Sequence, residues 1–182
     1  MRVITGSARG RTLQTLSGED VRPTVDRVKE AVFSIIQFEI EGRRVLDLFG
    51  GSGQMGIEAL SRGAESCIFT DIDRNAVDVI KANLKTTGLS DKAQVIQADA
   101  ISFLKNNQQS FDIVFLDPPY SAGLMQKVLP LAAARTAKGG VIVCESPLKE
   151  ELPENAGGMS IYRSYKYGKT KITVYRPTEI QS

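Results

Sequence analysis

Histidine is absent from the 182-residue chain, and cysteine occurs only twice. Without histidine, the chain cannot form the Ser-His-Asp or Cys-His arrangements of nucleophilic catalysis, nor the common zinc sites. Cys67 and Cys144 both lie in short apolar runs, which indicates small buried side chains, and they give no disulfide framework. Any catalysis is therefore expected to use carboxylates, backbone dipoles and a bound cofactor, without a metal.

Long apolar runs are also missing. No segment approaches the roughly 18 apolar residues of a membrane span, and the first residues, MRVITGSARGR, lack the apolar stretch of a signal peptide. The composition, 42% hydrophobic and 24% charged, is that of an ordinary globular protein. We expect a soluble, cytoplasmic protein, monomeric and without a membrane partner, that forms one domain or one domain with an appendage.

Charge is unevenly distributed, although the formal net charge is only +2. Residues 1–18 carry three arginines and no acid, residues 160–182 carry a net charge of +4, and residues 45–159 carry −4. This pattern favours a small-molecule site flanked by surfaces that bind a polyanion, and the alternative is ordinary solvated charge.

Short β-branched runs alternate with helical stretches from residue 45 onward. The predicted strands are 45–49, 67–71, 93–99, 111–117 and 140–146, and the helices between them include 54–62 and 75–87. Strands this short and apolar, separated by helices, imply a parallel sheet that is covered on both faces. Right-handed crossovers then predict a doubly wound α/β fold.

The N-terminal part precedes this alternation. Thr24 is predicted to cap a helix that extends to about Ile40, with its apolar positions on one face. Residues 1–40 are expected to form an extension, made of a hairpin or loop and a helix, that packs on a domain of residues 41–182. At the other end, two alternating runs flank Gly168-Lys169, a pair typical of a type II′ hairpin. An antiparallel pair is therefore predicted at one edge of the sheet.

A glycine-rich loop follows the first predicted strand. Gly51, Gly53 and Gly56 match the pattern G-x-G-x-x-G, and Asp71 lies 20 residues after Gly51 at the end of the second strand. This satisfies the dinucleotide fingerprint, in which the glycines allow close backbone approach and the acid binds ribose hydroxyls. Because such a match is weak by itself, an NAD-dependent oxidoreductase remains one interpretation.

Two further features favour S-adenosylmethionine over NAD. Asp47 lies inside the first strand, where a carboxylate is costly unless donors or a cation are close. It can order the loop amides and face the amino or sulfonium end of that cofactor. Asp117-Pro118-Pro119-Tyr120 ends the fourth strand, and strand carboxyl ends in an open α/β sheet bind ligands. An oxidoreductase would not predict this tetrapeptide, and the chain offers no evident proton donor for one.

Asp99 and Ala100 close the third predicted strand, and two roles are open for the acid. The Asp99 carboxylate can accept a hydrogen bond from an adenine amino group, while the Ala100 N–H reaches a ring nitrogen. It can also cap the following helix, and one residue could do both.

Five sequence motifs are typical of one family. They are GSARGRTL (6–13), RPTVDRVKEAVF (22–33), DLFGGSGQMGIEALSRGA (47–64), DPPY (117–120) and YKYGKTKITVY (165–175). With them the chain resembles the RsmD-type 16S rRNA guanine-N2 methyltransferases over nearly its whole length. DPPY alone is shared with DNA adenine and other amino methyltransferases, whereas its pairing with RPT-x-D-R-V is far more specific. The resemblance implies a Rossmann-like class I methyltransferase with a seven-stranded, mostly parallel sheet, acting on a guanine of the 966 type.

The resemblance also implies roles for individual residues. It assigns Asp47, Gly51 and Gly53 to the methionine end of the cofactor. It assigns Asp71 to the ribose, and Asp99 with Ala100 to the adenine. Gly50 stands where the family more often has alanine, and a glycine there should keep the function of the loop. The full predicted cofactor site is Asp47, Gly50, Gly51, Ser52, Gly53, Asp71, Ile72, Asp99, Ala100 and Asp117.

Asp117, Pro118, Pro119 and Tyr120 fall at the catalytic motif of the family. A guanine exocyclic amine is a poor nucleophile because its lone pair is delocalised into the ring. The Asp117 carboxylate and the Pro118 carbonyl can each accept an N–H of that amine, which favours the tetrahedral nitrogen of the transition state. Tyr120 can stack on the base.

The alternative to an rRNA guanine methyltransferase is an amino methyltransferase acting on N6 of DNA adenine or on another nucleic-acid amine, although no additional target-recognition domain is evident.

The basic ends of the chain predict contact with RNA phosphates. The candidates are Arg9, Arg11, Arg22, Arg27, Lys166, Lys169 and Lys171. For Arg22 and Arg27 a second interpretation has equal weight to RNA contact, namely that they organise their helix against the active site. A non-catalytic RNA-binding module would explain the basic ends but not a glycine loop with three strand-end acids. The expected partner is 16S rRNA, in the small ribosomal subunit or in its assembly intermediate.

Overall fold

The computed structural model describes residues 1–16, 23–121 and 123–178. The strands in this part of the chain are β1 (Arg44–Asp47), β2 (Ser66–Asp71), β3 (Ala93–Gln97), β4 (Phe111–Leu116), β5 (Thr136–Pro147), β6 (Asn155–Ala156), β7 (Met159–Tyr167) and β8 (Thr170–Pro177). The helices are α1 (Pro23–Ile35), α2 (Gln54–Ser61), α3 (Arg74–Thr87), α4 (Ala100–Asn106) and α5 (Leu124–Ala134). Among these helices none has both the length and the apolarity needed to cross a bilayer.

All eight strands belong to one sheet, in the order β3-β2-β1-β4-β5-β8-β7-β6. The five strands from β3 to β5 pair in parallel, and β8, β7 and β6 extend the sheet in antiparallel fashion. The chain runs from β1 outward to β3 and then returns to β4 on the other side of β1. The carboxyl ends of β1 and β4 therefore flank the switch point, where open α/β sheets bind ligands.

Successive strand residues alternate between two apolar layers. Val45 and Phe69 face the layer covered by α1, α2 and α3, whereas Leu46 and Ile68 face the layer covered by α4 and α5. Both faces of the parallel strands are thus buried, which explains their continuous apolar runs. The predicted doubly wound α/β fold with an antiparallel C-terminal pair is confirmed.

The structure corrects the predicted strand number and several boundaries. The described residues form eight strands, not seven, because Asn155–Ala156 pairs with the start of β7. α1 begins at Pro23, before the predicted cap Thr24, since proline suits the first helical position. It ends at Ile35 because a tighter turn follows, in which the Glu39 N–H donates to the Ile36 carbonyl at 2.8 Å. β5 starts earlier than predicted because an irregular pairing with β4 extends it to Thr136.

The first 16 residues pack on the α2 side of the sheet. Val3, Ala8 and Leu13 are buried in the same apolar layer as α1 and α2. The backbone of this segment is also bound to α2: the Ser7 N–H donates to the Ser61 carbonyl at 2.8 Å. The N-terminal segment is therefore part of the core, while the division of the chain at residue 40 stays a prediction.

Candidate functional site

A crevice of about 460 Å³ lies at the carboxyl ends of β1 to β4. Each of these strands contributes to it: Gly51 follows β1, Asp71 ends β2, Asp99 follows β3 and Asp117 follows β4. Three acids from three strands thus converge at the switch point. Within residues 1–16, 23–121 and 123–178, no cluster of three or more His, Cys, Asp or Glu side chains could hold a metal ion.

The glycine loop joins β1 to the N-terminus of α2. Gly51 and Gly53 have φ angles of 58° and 81°, a left-handed conformation that favours glycine. The Gly51 N–H donates to Asp71 Oδ2 at 3.0 Å, so the acid of β2 holds the loop in place. Asp71 Oδ1 accepts from the Asp73 N–H at 2.9 Å. Each carboxylate oxygen keeps a second lone pair with which to accept a ligand hydroxyl.

Gly56 brings α2 close to β2. A Cβ atom at this position would lie 2.3 Å from Cε1 of Phe69 and 2.8 Å from Sγ of Cys67. Because only glycine leaves room for this approach, Gly56 has the packing role of the third glycine in the dinucleotide fingerprint.

Asp47 lies beneath the glycine loop and is only 4% exposed. Its Oδ2 atom accepts a hydrogen bond from the Gly56 N–H at 3.0 Å. Burial raises the pKa of Asp47 to about 7; the Gly56 N–H opposes this rise, and the Asp71 carboxylate adds to it. Asp47 therefore orders the first turn of α2. It is not among the residues that line the crevice, and its contact with a cofactor stays a prediction.

We expect Asp47→Asn to remove a pH-dependent loss of stability. The unfolded chain ionises Asp47 near its ordinary value of 3.8, whereas the folded protein holds the proton up to about pH 7. In this window the folded state binds more protons, so its stability falls as the pH rises. The free energy of unfolding of the variant and of the wild type is measured with urea at about pH 5 and at about pH 8. From the lower to the higher pH, the difference between the two proteins should change in favour of the variant by roughly 2–3 kcal/mol. A difference that does not change with pH would contradict the raised pKa.

Asp99 has one observed role and one predicted role. Its Oδ2 atom accepts a hydrogen bond from the Ser102 N–H at 3.0 Å, so it caps α4. Asp99 and Ala100 also line the crevice, as does Ile72, which is 68% exposed. The cap is therefore established, whereas the contacts of Asp99 and Ala100 with an adenine ring, and that of Ile72 with the cofactor, stay predictions.

Several predicted cofactor residues do not line the crevice. Gly50, Ser52 and Gly53 belong to the glycine loop but are not among the lining residues. A Cβ atom on Gly50 would lie 2.7 Å from Cδ1 of Ile80, so this glycine packs against α3. Ser52 is buried. These residues shape the backbone of the loop, and their contact with a cofactor stays a prediction.

Asn83 is a residue that the sequence analysis missed. This buried amide of α3 donates through Nδ2 to the Ser52 carbonyl at 2.9 Å and to the Gln14 carbonyl at 3.0 Å. Its Oδ1 atom accepts from the Gln14 N–H at 2.7 Å. One side chain thus joins the N-terminal segment to the glycine loop. The sequence feature that could have revealed Asn83 is its position: it is a polar residue on the otherwise apolar face of α3, between Ile80 and Leu84.

The DPPY motif stands between two cavities. Asp117 and Pro119 line the crevice, whereas Tyr120 lines a second cavity of about 460 Å³. Pro118 is half-buried between them. Tyr120 is 77% exposed, so its ring is available to a ligand rather than packed in the core.

The predicted RNA-binding lysines lie near this motif. Lys166, Lys169 and Lys171 belong to the β7–β8 hairpin. Pro147 at the carboxyl end of β5 pairs with Thr170, the first residue of β8. The hairpin turn before Thr170 therefore lies at the carboxyl ends of the parallel strands, where the crevice also lies. Lys166 and Lys169 are exposed, whereas Lys171 is half-buried and its ammonium donates to the Glu150 carbonyl.

The predicted arginines lie elsewhere. Arg9 and Arg11 are exposed in the N-terminal segment, which is bonded to Ser61. Ser61 ends α2, so these arginines are close to the end of α2 that is farther from the glycine loop. Arg27 is exposed on α1, and Arg22 lies outside the described residues. Contact of any of these residues with RNA stays a prediction.

Solved structures of known proteins share this architecture. “Putative methyltransferase yhhF” from Escherichia coli has a TM-score of 0.86 and 32% identity, with 99% of both chains covered. The Thermus thermophilus “16S rRNA N2 G1207 methyltransferase (RsmC)”, solved with AdoMet and guanosine, has a TM-score of 0.73 and 25% identity over 92% of this chain and 46% of its own. With this strand order and a crevice at the strand ends, the chain has the fold of the Rossmann-like S-adenosylmethionine-dependent methyltransferases.

Sequence comparison narrows this class to one family. A family model described as “Conserved hypothetical protein 95” matches residues 1–176. “Putative rRNA methyltransferase YlbH” of Bacillus subtilis (strain 168) is 43% identical over 97% of this chain and 98% of its own. “Ribosomal RNA small subunit methyltransferase D” of Escherichia coli (strain K12) is 33% identical over 97% and 89%. The chain belongs to this family, the RsmD family, which confirms the resemblance found in the sequence.

Proposed function

We propose that this protein transfers a methyl group from S-adenosylmethionine to the exocyclic N2 of a guanine in 16S rRNA. The observation that carries the proposal is the DPPY motif, which stands between the crevice and a second cavity in a chain of the RsmD family. The small-subunit name of the E. coli relative and the guanosine bound to the Thermus neighbour support rRNA and guanine. In its most specific form, the proposal names as the target the guanine that corresponds to position 966 of 16S rRNA.

The crevice fits S-adenosylmethionine. The Asp71 carboxylate at the end of β2 would accept hydrogen bonds from the ribose hydroxyls, and Ile72 and Leu124, which also line the crevice, would form apolar walls for the adenine. The glycine loop brings backbone close to the methionine end at the N-terminus of α2. When bound, the cofactor supplies an electrophilic methyl group on a sulfonium leaving group, so the reaction requires no metal and no strong base.

The residues of the chain have to activate and aim the amine. The Asp117 carboxylate and the Pro118 carbonyl accept its two N–H groups, which localises the nitrogen lone pair for attack. The exposed Tyr120 ring stacks on the base and sets the angle of attack. Such positioning can contribute about 7–11 kcal/mol to lowering the barrier. A guanine in a stem has to be flipped out or presented in a loop to reach this motif.

Methyl transfer to defined RNA tests the proposal. Labelled S-adenosylmethionine is incubated with free 16S rRNA and with small-subunit particles, both from a strain that lacks this gene. Nucleoside analysis should find N2-methylguanine at one site in one of these substrates. A matched RNA with adenine at that site should accept no methyl group. Transfer only to DNA adenine, or no transfer while the cofactor binds, would contradict the proposal.

The hairpin lysines should contribute to the salt dependence of RNA binding. We expect Lys169→Gln to reduce the slope of log K against log salt concentration by roughly 0.7–0.9, the effect of one lost phosphate contact. Filter binding across a salt series measures the slope, and Lys105→Gln, an exposed lysine on α4, is the control. A slope identical to that of the wild type would place Lys169 outside the RNA interface.

A further inference from the structure

The side chain of Asn83 is held in one orientation by the backbone of Gln14. Its Oδ1 atom accepts from the Gln14 N–H at 2.7 Å, and its Nδ2 atom donates to the Gln14 carbonyl at 3.0 Å. Because only the amide oxygen can accept from an N–H, this pair of bonds fixes which way the amide faces. The second N–H of Nδ2 donates to the Ser52 carbonyl of the glycine loop at 2.9 Å. Both donors of this amide, which is 1% exposed, are thus used.

The Ser52 carbonyl belongs to a peptide unit that is bonded at both of its ends. The N–H of the same unit, on Gly53, donates to the Gly50 carbonyl at 2.7 Å and closes a tight turn. Gly51 and Gly53 in this turn have left-handed φ angles. Since a peptide unit is planar, a bond that fixes its carbonyl also fixes the direction of its N–H. The contact with Asn83 therefore acts on the backbone conformation of the glycine loop.

The N-terminal segment gives this contact a firm support. Arg2 pairs with Thr12 in an antiparallel bridge, so the segment closes on itself just before Gln14. Leu13 is buried in the apolar layer that α1 and α2 cover. The core thus holds the Gln14 backbone, and that backbone directs the Asn83 amide at the loop.

We propose that Asn83 is a positioning residue, which holds the glycine loop in the conformation that binds the methionine end of S-adenosylmethionine. The inference rests on the place that the proposed function gives to the methionine end, and it does not depend on the RNA target. Without the Asn83 donor the Ser52 carbonyl loses a buried partner, and other conformations of the turn become populated. The affinity for the cofactor then falls in proportion to the fraction of protein whose loop is correctly folded.

Calorimetric titration with S-adenosylhomocysteine measures this effect without methyl transfer. We expect Asn83→Ala to raise the Kd about tenfold. Asn83→Asp keeps the shape and the acceptor for Gln14 but has no amide N–H for Ser52, so its Kd should rise at least as much. Leu84→Ala is the matched control, because it removes a buried apolar side chain from the next position of α3. It should destabilise the fold and leave the Kd within about twofold. A wild-type Kd in Asn83→Asp, or equal rises in Asn83→Ala and Leu84→Ala, would overturn the proposal.

Hydrogen exchange of the Gly53 amide provides a second readout, in the protein without ligand. Its exchange should become faster relative to the amides of β1 in both Asn83 variants, because the turn opens locally. In Leu84→Ala the two should keep their wild-type ratio. Asn83→Ser replaces the alanine variant if that variant does not fold.

The two proposals fail separately. If the wild-type protein binds the cofactor but methylates no RNA, the proposed function fails, while the Kd and the exchange rates still decide the role of Asn83. An unchanged ratio of exchange rates in the Asn83 variants would overturn the inference even where methyl transfer is confirmed.

Discussion

Asp117→Ala should reduce kcat for methyl transfer by at least 10²–10³-fold, roughly the loss seen when one preorganised polar contact to a transition state is removed. The carboxylate is the one charged acceptor in the DPPY motif, which follows β4 at the crevice. Its negative charge matters most in the transition state, when positive charge develops on the amine nitrogen. The cofactor Kd should stay within about fivefold, because the Asp71 carboxylate and the apolar wall at Ile72 remain in place.

Single-turnover methyl transfer and calorimetric titration of the cofactor measure the two effects of Asp117→Ala separately. Asp117→Asn keeps a carbonyl acceptor without the charge, so its kcat should lie between those of the alanine variant and the wild type. Asp78→Ala, at an exposed position on α3, should behave as the wild type. Equal losses in cofactor binding and in turnover would show that Asp117 holds the cofactor rather than the amine.

Glu58→Ala should destabilise the fold by about 3–5 kcal/mol, the usual cost of breaking a buried ion pair. Glu58 in α2 is fully buried and accepts hydrogen bonds from the backbone N–H groups of Ile4 and Thr5 at 2.8 and 3.0 Å. Its carboxylate also lies 3.3 Å from Nζ of Lys29 and 2.9 Å from Nε of Arg62. Burial lowers the pKa of Lys29, and the attraction of Glu58 opposes this. Alanine would leave the buried Lys29 ammonium without its counter-charge, with only the Arg2 carbonyl at 2.9 Å to accept from it in the described part of the chain, and would leave the N–H groups of Ile4 and Thr5 without their acceptor.

Urea unfolding of Glu58→Ala checks this prediction. Glu65→Ala removes an exposed glutamate just beyond α2 and should change the free energy of unfolding by less than about 0.5 kcal/mol. Combining Glu58→Leu with Lys29→Met removes both charges, so the double variant should lose less stability than the sum of the single variants. A loss below about 1 kcal/mol in Glu58→Ala would mean that the N-terminal segment does not depend on this cluster.

Patterns within short stretches of sequence determined the fold class and the outline of the site. Apolar runs that alternate with helical stretches predicted the parallel sheet, because each run has to be buried on both faces. The glycine loop, Asp71, Asp99 and Asp117 were all found from their places at strand ends. A parallel sheet brings those ends to one edge, so the crevice could be expected before any contact was known. Turn geometry at Gly51 and Gly53 likewise follows from local backbone preference.

Only the tertiary structure decided which side chains meet across the sheet and its helices. The hydrogen bonds of Asn83 with Ser52 and Gln14, and those that Glu58 accepts from the Ile4 and Thr5 N–H groups, join residues far apart in the sequence. Their partners depend on strand register and helix placement, which no local pattern encodes. Burial likewise sets the raised pKa of Asp47. Local preference acts between chain neighbours, whereas these contacts and this charge environment exist only once the whole core has packed.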